Sequence, residues 1–319
     1  MKQVLLTDYA WPDPEVERSV IEGAGFSLAI GPAKASPQAA IVELARQNRP
    51  LAIMTCWAEV TAPAIEACPD LKIVQRIGVG LDNIDRAAAA ARGAVVTNVP
   101  DYCVEEVSDH AVGMLLAWAR GIVSFDREVK GGQWDAAGAR LRRVRDLTVG
   151  IAGFGRIGRR TAAKMQPFGS RLLVYDKYPP SGGFPEGMTG VDAKRLLSES
   201  DVVVLHLPLT PETRNFIDAR SLQRMKPGSL LINVSRGGLV DNDALLQALE
   251  KGPLGAAALD VVEGEPNPPR ALIGNPKVIA TPHIAFASTA SVLELRRRSA
   301  EEVVRVLTGQ KPHHPCPPP

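Results

Sequence analysis

The chain has little from which to build a covalently or metal-stapled fold. Its 319 residues include four cysteines, Cys56, Cys68, Cys103 and Cys316. No two of them form a C-x-x-C pair. That argues against a disulfide framework or a metal site and points to a reducing, cytoplasmic compartment. No apolar run reaches the roughly 18 residues a membrane helix needs, so no span is expected. The opening MKQVLLTDYAWPDPEVE lacks a long apolar stretch and turns acidic at once, unlike a secretory signal. Neither sign of charge dominates: 37 Lys and Arg stand against 35 Asp and Glu, a net of +2, which gives no footprint for nucleic acid. Arg140, Arg142, Arg143 and Arg145 are interrupted by Leu141 and Val144 and followed by Asp146, so they read as a solvated loop before a strand. Arg296, Arg297 and Arg298 have Glu294, Glu301 and Glu302 nearby on an expected helix, where i,i+4 pairing accounts for them. Histidine is also scarce, at five residues, and two of the five lie in the Pro-rich tail KPHHPCPPP. That tail is expected to be extended or disordered, with its histidines exposed rather than metal-bound.

What is present is apolar and periodic. Hydrophobic residues make up 45% of the chain, enough for sizeable cores, and the length suggests two domains. Short apolar runs at 2–7, 26–30, 51–55, 72–78 and 94–99 read as strands. Segments with helical spacing separate them, and DNIDRAAAAARG closes on Gly93, a helix stop. An apolar helix follows at about 104–120. The strand–helix rhythm then restarts at 146–153 and continues through 171–176, 201–208, 229–235, 255–262 and 277–282, before a last helix at about 288–307. Continuous apolar strands alternating with helices imply parallel sheets covered on both faces. The expected fold class is therefore α/β, with two strand–helix units.

The second unit opens on VGIAGFGRIGRR, which contains Gly153, Gly155 and Gly158 as G-x-G-x-x-G between an expected strand and helix. The first glycine permits the tight turn, the second admits a pyrophosphate to the backbone, and the third lets helix and strand pack closely. The next strand, RLLVYD, ends in Asp176. It lies 176 − 158 = 18 residues beyond Gly158, close to the separation of about 20 at which an acid receives the ribose hydroxyls of NAD. A carboxylate there repels a 2′-phosphate, so NAD is favoured over NADP, although Lys177 is adjacent.

Three further segments fall at C-terminal strand ends, the edge along which open α/β sheets bind ligands. LLINVSRGGLVD carries Arg236. ALDVVEGEP carries Asp260, Glu263 and Glu265. TPHIAF carries His283. Oxidising an alcohol needs a base for the hydroxyl proton while hydride leaves the same carbon, and imidazole suits that task near neutral pH. A carboxylate orients the ring, and an arginine binds a substrate carboxylate through paired donors and polarises a developing carbonyl.

The segments QRIGVGLDNID, VGIAGFGRIG, HLPLTPETRNFI, LLINVSRGGLVD, ALDVVEGEP and TPHIA resemble the D-isomer-specific 2-hydroxyacid dehydrogenases. The resemblance spans about 70–290. It implies that Arg236 binds substrate, that Glu265 (before the proline of D-V-x-x-x-E-P) pairs with His283, and that His283 is the acid/base. Glu263 is the rival carboxylate, two places early. It places Arg156, Ile157, Asp176, Pro208, Ser235 and Asp260 at NAD, and gives the N–H groups of Val79 and Gly80 to the substrate carboxylate. Arg76 takes a second substrate anion or forms a salt bridge at its strand end. His206 is expected to be a cofactor-side residue rather than a second base. The family's arrangement is an NAD domain inserted into a discontinuous substrate domain with the active site between them, here 100–283 within 1–99 plus 284–319. The helix after Pro100 typically embraces a second subunit, so a homodimer is expected. The length leaves no room for the regulatory domain of long phosphoglycerate dehydrogenases.

One departure bears on substrate. Many relatives follow the histidine with Ile-Gly-Gly; this chain has Ile284-Ala285-Phe286. The eukaryotic C-terminal-binding proteins, NAD-sensing corepressors on this fold, carry an aromatic at that place, and VPDYCVEEVSDHA also looks like that branch. Phe286 either walls the substrate pocket or packs as core. Two functions are thus expected to compete: interconversion of a D-2-hydroxy acid with its 2-oxo acid, and an NAD(H)-responsive dimeric binding module. Formate enzymes of the superfamily pair the histidine with glutamine, against which Glu265 speaks; phosphite remains open.

Overall fold

Runs of three to five residues, mostly apolar, become strands, and the central ones are buried on both faces. The computed structural model describes residues 2–34 and 36–318, and these form two compact units, Met1–Tyr102 with Ser288–Pro319, and Cys103–Ala287. In the first unit β1 (Gln3–Leu6), β2 (Ser27–Ile30), β3 (Ala52–Thr55), β4 (Ile73–Arg76) and β5 (Val95–Thr97) form one sheet in the order β2-β1-β3-β4-β5. Every pairing in it is parallel. All four residues of β3 and of β4 are buried, as a sheet covered by helices on both faces requires. The helix Thr289–Leu307 returns the chain to this unit, opened by a Ser288–Ser291 capping box.

The second unit holds seven parallel strands: β6 (Thr148–Ala152), β7 (Arg171–Tyr175), β8 (Met188–Gly190), β9 (Val202–Leu205), β10 (Leu230–Asn233), β11 (Ala256–Leu259) and β12 (Val278–Ala280). Their order is β12-β11-β10-β9-β6-β7-β8. The strand order reverses direction between β6 and β9, which places the topological switch point, where doubly wound sheets bind ligands, at the C-terminal ends of those two strands. The apolar core beneath them gathers Leu173, Val203, Leu205, Leu231, Ala257 and Leu259 from adjacent strands.

Several local expectations change. The expected apolar helix is present at Val104–Ala119, but Gly121, at φ 63°, then turns the chain into a further helix, Ile122–Lys130, that the sequence did not announce. Strand β8 is only three residues of Met-Thr-Gly, too short and too weakly apolar to signal itself. Arg296 is not a solvated i,i+4 partner. It is buried, and its guanidinium grips the fully buried Glu17 at 2.9 Å and lies over the Trp11 ring at 5.1 Å. Arg298 does pair with Glu294 at 2.6 Å, and also with Asp101. In the basic loop Arg142 stacks on Trp118 at 4.6 Å and donates to the Gly228 carbonyl. The Pro-rich tail is extended and tied down. Pro315 bridges Thr97, Cys316 N–H donates to Val96, and the buried Glu302 accepts from His313 N–H while pairing with its ring at 3.1 Å. Proline removes donors from the tail, and the backbone groups that remain cover an otherwise open sheet edge.

All four cysteines are free thiols. Burial pushes the Cys56 thiol up to about 12, so it stays protonated and unreactive at neutral pH. Among the described residues no helix is long and apolar enough to cross a membrane.

Candidate active site

The glycine loop sits at the switch point of the second sheet. Gly153 adopts φ +100°, and a Cβ there would meet the His206 carbonyl at 2.5 Å, so only glycine lets β6 turn so close to the end of β9. A Cβ on Gly158 would come 2.0 Å from the Gly153 carbonyl, which fixes how closely the helix Arg156–Met165 packs on the loop. Gly155 differs: nothing lies within 4 Å of where its Cβ would point. It is the N-cap of that helix, and no side chain caps the first turn, which includes the N–H groups of Arg156 and Ile157. Open space, unsatisfied donors and the positive end of a ten-residue helix suit a pyrophosphate. Asp176, at the end of β7, accepts from Phe154 N–H at 2.6 Å and from Tyr178 N–H at 2.8 Å. The acid is thereby locked against the glycine loop, at the place where a dinucleotide's ribose hydroxyls would lie. The residues present fit NAD.

At the end of β9, His206 has a buried Nε2 with no partner among the described residues. Burial drives its pKa down from 6.5 to about 3, so the ring is neutral at pH 7. Beyond it the Pro208 carbonyl accepts from Thr213 Oγ1 at 2.6 Å, which closes the loop. After β10, Ser235 Oγ donates to the Leu205 carbonyl at 2.7 Å and ties two strand ends together.

The three catalytic candidates lie on adjacent strand-end loops of this unit. Arg236 follows β10, and its guanidinium donates to the Ser235 carbonyl at 2.8 Å. Its backbone is pinned by Asn233, a buried polar residue whose Nδ2 donates to the Arg236 carbonyl at 2.8 Å and whose Oδ1 accepts from Ser235 N–H. Gly237 lets this loop touch the next one: a Cβ there would strike Glu263 N at 2.2 Å. On that next loop the two rival carboxylates separate. Glu263 is held by Arg214 at 2.6 Å, whereas Glu265 Oε1 lies 2.9 Å from His283 Nδ1. A carboxylate only accepts, so Nδ1 carries the proton.

His283 itself occupies the left-handed region, at φ 55°, a conformation that is uncommon for a non-glycine residue and marks a held site. Asp260 holds it. The Asp260 carbonyl accepts from His283 N–H at 2.8 Å, and its buried carboxylate accepts from Ile284 N–H and Ala285 N–H at 2.9 Å each and from Thr281 Oγ1 at 2.6 Å. The resemblance assigns Asp260 to NAD; its carboxylate also holds the His283 turn. Thr281 and, beyond it, His110 at 3.0 Å were not singled out by the sequence. Their signal was a hydroxyl two residues before the histidine and a histidine within a largely apolar helix. Phe286 meets the His283 ring edge-on, with centroids 6.2 Å apart.

The first unit carries the remaining candidates. The N–H groups of Val79 and Gly80 donate to no group among the described residues, while Asn98 Nδ2 fixes the Val79 carbonyl at 2.7 Å. Arg76 is buried. Its guanidinium turns back to the Ile77 carbonyl and lies over Trp57 at 5.8 Å, with room made by Gly78. The Asp8 carboxylate anchors the neighbouring loop by accepting from the N–H groups of Cys56, Trp57 and Ala58.

A doubly wound sheet, a glycine loop with its acid and a histidine–glutamate pair beside an arginine define an NAD-dependent oxidoreductase. Comparison with known proteins narrows the class. Residues 112–285 match the model of the D-isomer specific 2-hydroxyacid dehydrogenase NAD binding domain. The glycerate dehydrogenase of Methylorubrum extorquens is 36% identical over 258 residues, covering 78% of this chain and 80% of that one. The D-3-phosphoglycerate dehydrogenase of Mycobacterium leprae is 39% identical over 253 residues, and this chain spans about half, 48%, of its length. The crystal structure of a protein from Thermus thermophilus superposes with a TM-score of 0.88 at 32% identity, covering 98% of this chain and 99% of that one. The chain belongs to the D-isomer-specific 2-hydroxyacid dehydrogenase family, and its cofactor is NAD.

Proposed function

We propose that the protein interconverts a small D-2-hydroxy acid and its 2-oxo acid, with His283 as acid/base. The observation that carries this reading is the 2.9 Å contact between His283 Nδ1 and Glu265 on loops adjoining Arg236. Bound NAD supplies the acceptor for hydride from the alcohol carbon. The chain's own residues handle the proton and the charge. His283 Nε2 takes the hydroxyl proton in oxidation and returns it to the carbonyl oxygen in reduction. Glu265 keeps the ring oriented and in the Nδ1–H tautomer. Arg236 anchors the substrate carboxylate and polarises the carbonyl. For Val79, Gly80 and Arg76 of the first unit the assignment to substrate comes from the resemblance, and Phe286 offers an apolar wall beside His283. On the cofactor side the reading assigns Arg156, Ile157, Asp176, Pro208, Ser235 and the His206 strand end.

One relative is a glycerate dehydrogenase, which supports a small 2-hydroxy acid as the substrate. We therefore take hydroxypyruvate, the 2-oxo acid of glycerate, as first probe. The test is a screen of hydroxypyruvate, glyoxylate, pyruvate, phenylpyruvate, 4-methylthio-2-oxobutyrate and phosphohydroxypyruvate with NADH and with NADPH. Turnover of at least one acid, faster with NADH, is expected. Activity on none, with NADH-dependent association of the protein, would replace this reading with the binding-module alternative.

The reading also includes a homodimer through the second unit. The helix Ile122–Lys130 has no buried residue, although Ile122 and Val129 are apolar and exposed. Trp134 is 88% exposed just beyond it. A groove of about 500 Å³ opens between Met114 and Ala117 of the helix Val104–Ala119 and Ile279 and Ile284. Surfaces of this composition are covered in stable proteins.

A further inference from the structure

The turn that carries His283 is held by a hydrogen-bond chain that reaches a second histidine. Three donors converge on the Asp260 carboxylate: Ile284 N–H and Thr281 Oγ1 on Oδ1, and Ala285 N–H on Oδ2. A hydroxyl has one proton, and a carboxylate only accepts, so Thr281 gives its proton to Asp260. The threonine oxygen is then an acceptor toward its other neighbour, His110 Nε2, at 3.0 Å. That nitrogen must carry hydrogen. His110 sits on the helix Val104–Ala119, far from 283 in sequence, with its side chain 23% exposed, and its Nε2 is also 3.7 Å from Asp260 Oδ1.

We propose that His110 and Thr281 are positioning residues for the reaction: His110 donates through Nε2–H to Thr281, Thr281 donates to Asp260, and Asp260 in turn fixes the strained backbone of His283. Neither residue touches the reacting atoms. The reason to need such a clamp is the φ of 55° at His283. Left-handed backbone at a non-glycine residue persists only when its surroundings over-determine it. With Thr281 removed, the Asp260 carboxylate keeps one backbone donor on each oxygen but loses the hydroxyl that ties Oδ1 to the strand end and to His110. The imidazole then shifts relative to Glu265 and the substrate, and near-attack geometry is sensitive at the scale of an ångström.

This inference rests on His283 being the acid/base, and the experiment separates the two. In wild-type protein labelled with ¹⁵N-histidine and saturated with NADH, the His110 ring is expected with hydrogen on Nε2, and the His283 Nδ1–H proton is expected far downfield because it is bonded to Glu265. In Thr281→Val that downfield proton moves or vanishes. Kinetics with hydroxypyruvate and NADH should show kcat lowered by about 10²-fold in Thr281→Val, with NADH affinity and KM little changed. Thr281→Ser restores the hydroxyl and should recover most of the loss. His110→Phe should lower kcat in the wild-type background and add nothing to Thr281→Val, because one chain has been cut twice. A His110 ring protonated only on Nδ1 overturns the proposal, as does a His283 proton unmoved in Thr281→Val. Additive losses from the two substitutions also overturn it. If His283→Ala keeps its turnover, the acid/base reading itself has failed; if only the Thr281 and His110 variants behave as wild type, that reading stands and the clamp does not.

Discussion

At the scale of single residues, neighbours two places apart in sequence do different work. Glu263 and Glu265 are equally acidic and equally near the strand end. The sequence could rank them only through the resemblance, because what separates them is a partner 49 residues away, Arg214. Asp260 was visible as a polar residue at a strand end, but its hold with Thr281 on the His283 turn was not, since it depends on a φ of 55° that no spacing encodes. His206 makes a residue-scale prediction. Its pKa is about 3 in the folded chain against an ordinary 6.5. As pH falls from 6.5 toward 3 the unfolded chain takes up a proton the folded chain refuses. The stability this ring contributes is complete above 6.5 and lost progressively below it. Urea unfolding measured across that range should give a slope for wild type steeper than for His206→Asn by up to about 1.4 kcal/mol per pH unit, one proton's worth. Equal slopes would show that the ring is not desolvated as described.

At the scale of elements, strands were the legible part. VVVL, LLIN and AAAL are nearly uninterrupted apolar runs because both faces of a parallel sheet are covered, and their ends place Ser235, Arg236 and Asp260. The glycine loop was legible for the same kind of reason: Gly153 and Gly158 stand where a Cβ would collide with backbone, and such positions admit no other residue. Three things were not legible. Strand β8 is three residues with one apolar side chain, held by pairing with β7 rather than by its own propensity. The helix Ile122–Lys130, entered through Gly121 in the left-handed region, has no buried residue and so no core-facing pattern to announce it. The tail's proline content signals extension, but its docking needs the distant Glu302 carboxylate and the β5 edge.

At the scale of the molecule, two sheets with the strand orders of doubly wound α/β folds account for the family match and for NAD. The exposed apolar helix and the groove beside it lead to a prediction about assembly. Sedimentation equilibrium is expected to give twice the 34.1 kDa chain mass, and Ile122→Asp with Ile284→Asp to shift the population toward monomer. A wild-type protein that sediments at the single-chain mass at micromolar concentration contradicts the dimer. The central claim is narrower: one imidazole moves the proton of the reaction. The most direct measurement compares His283→Ala with wild type in NADH-dependent reduction of a 2-oxo acid substrate found in the screen, alongside NADH affinity from nicotinamide fluorescence. The account predicts a fall in kcat of about 10²- to 10⁴-fold with NADH binding retained; a variant that turns over near the wild-type rate across neutral pH would contradict it.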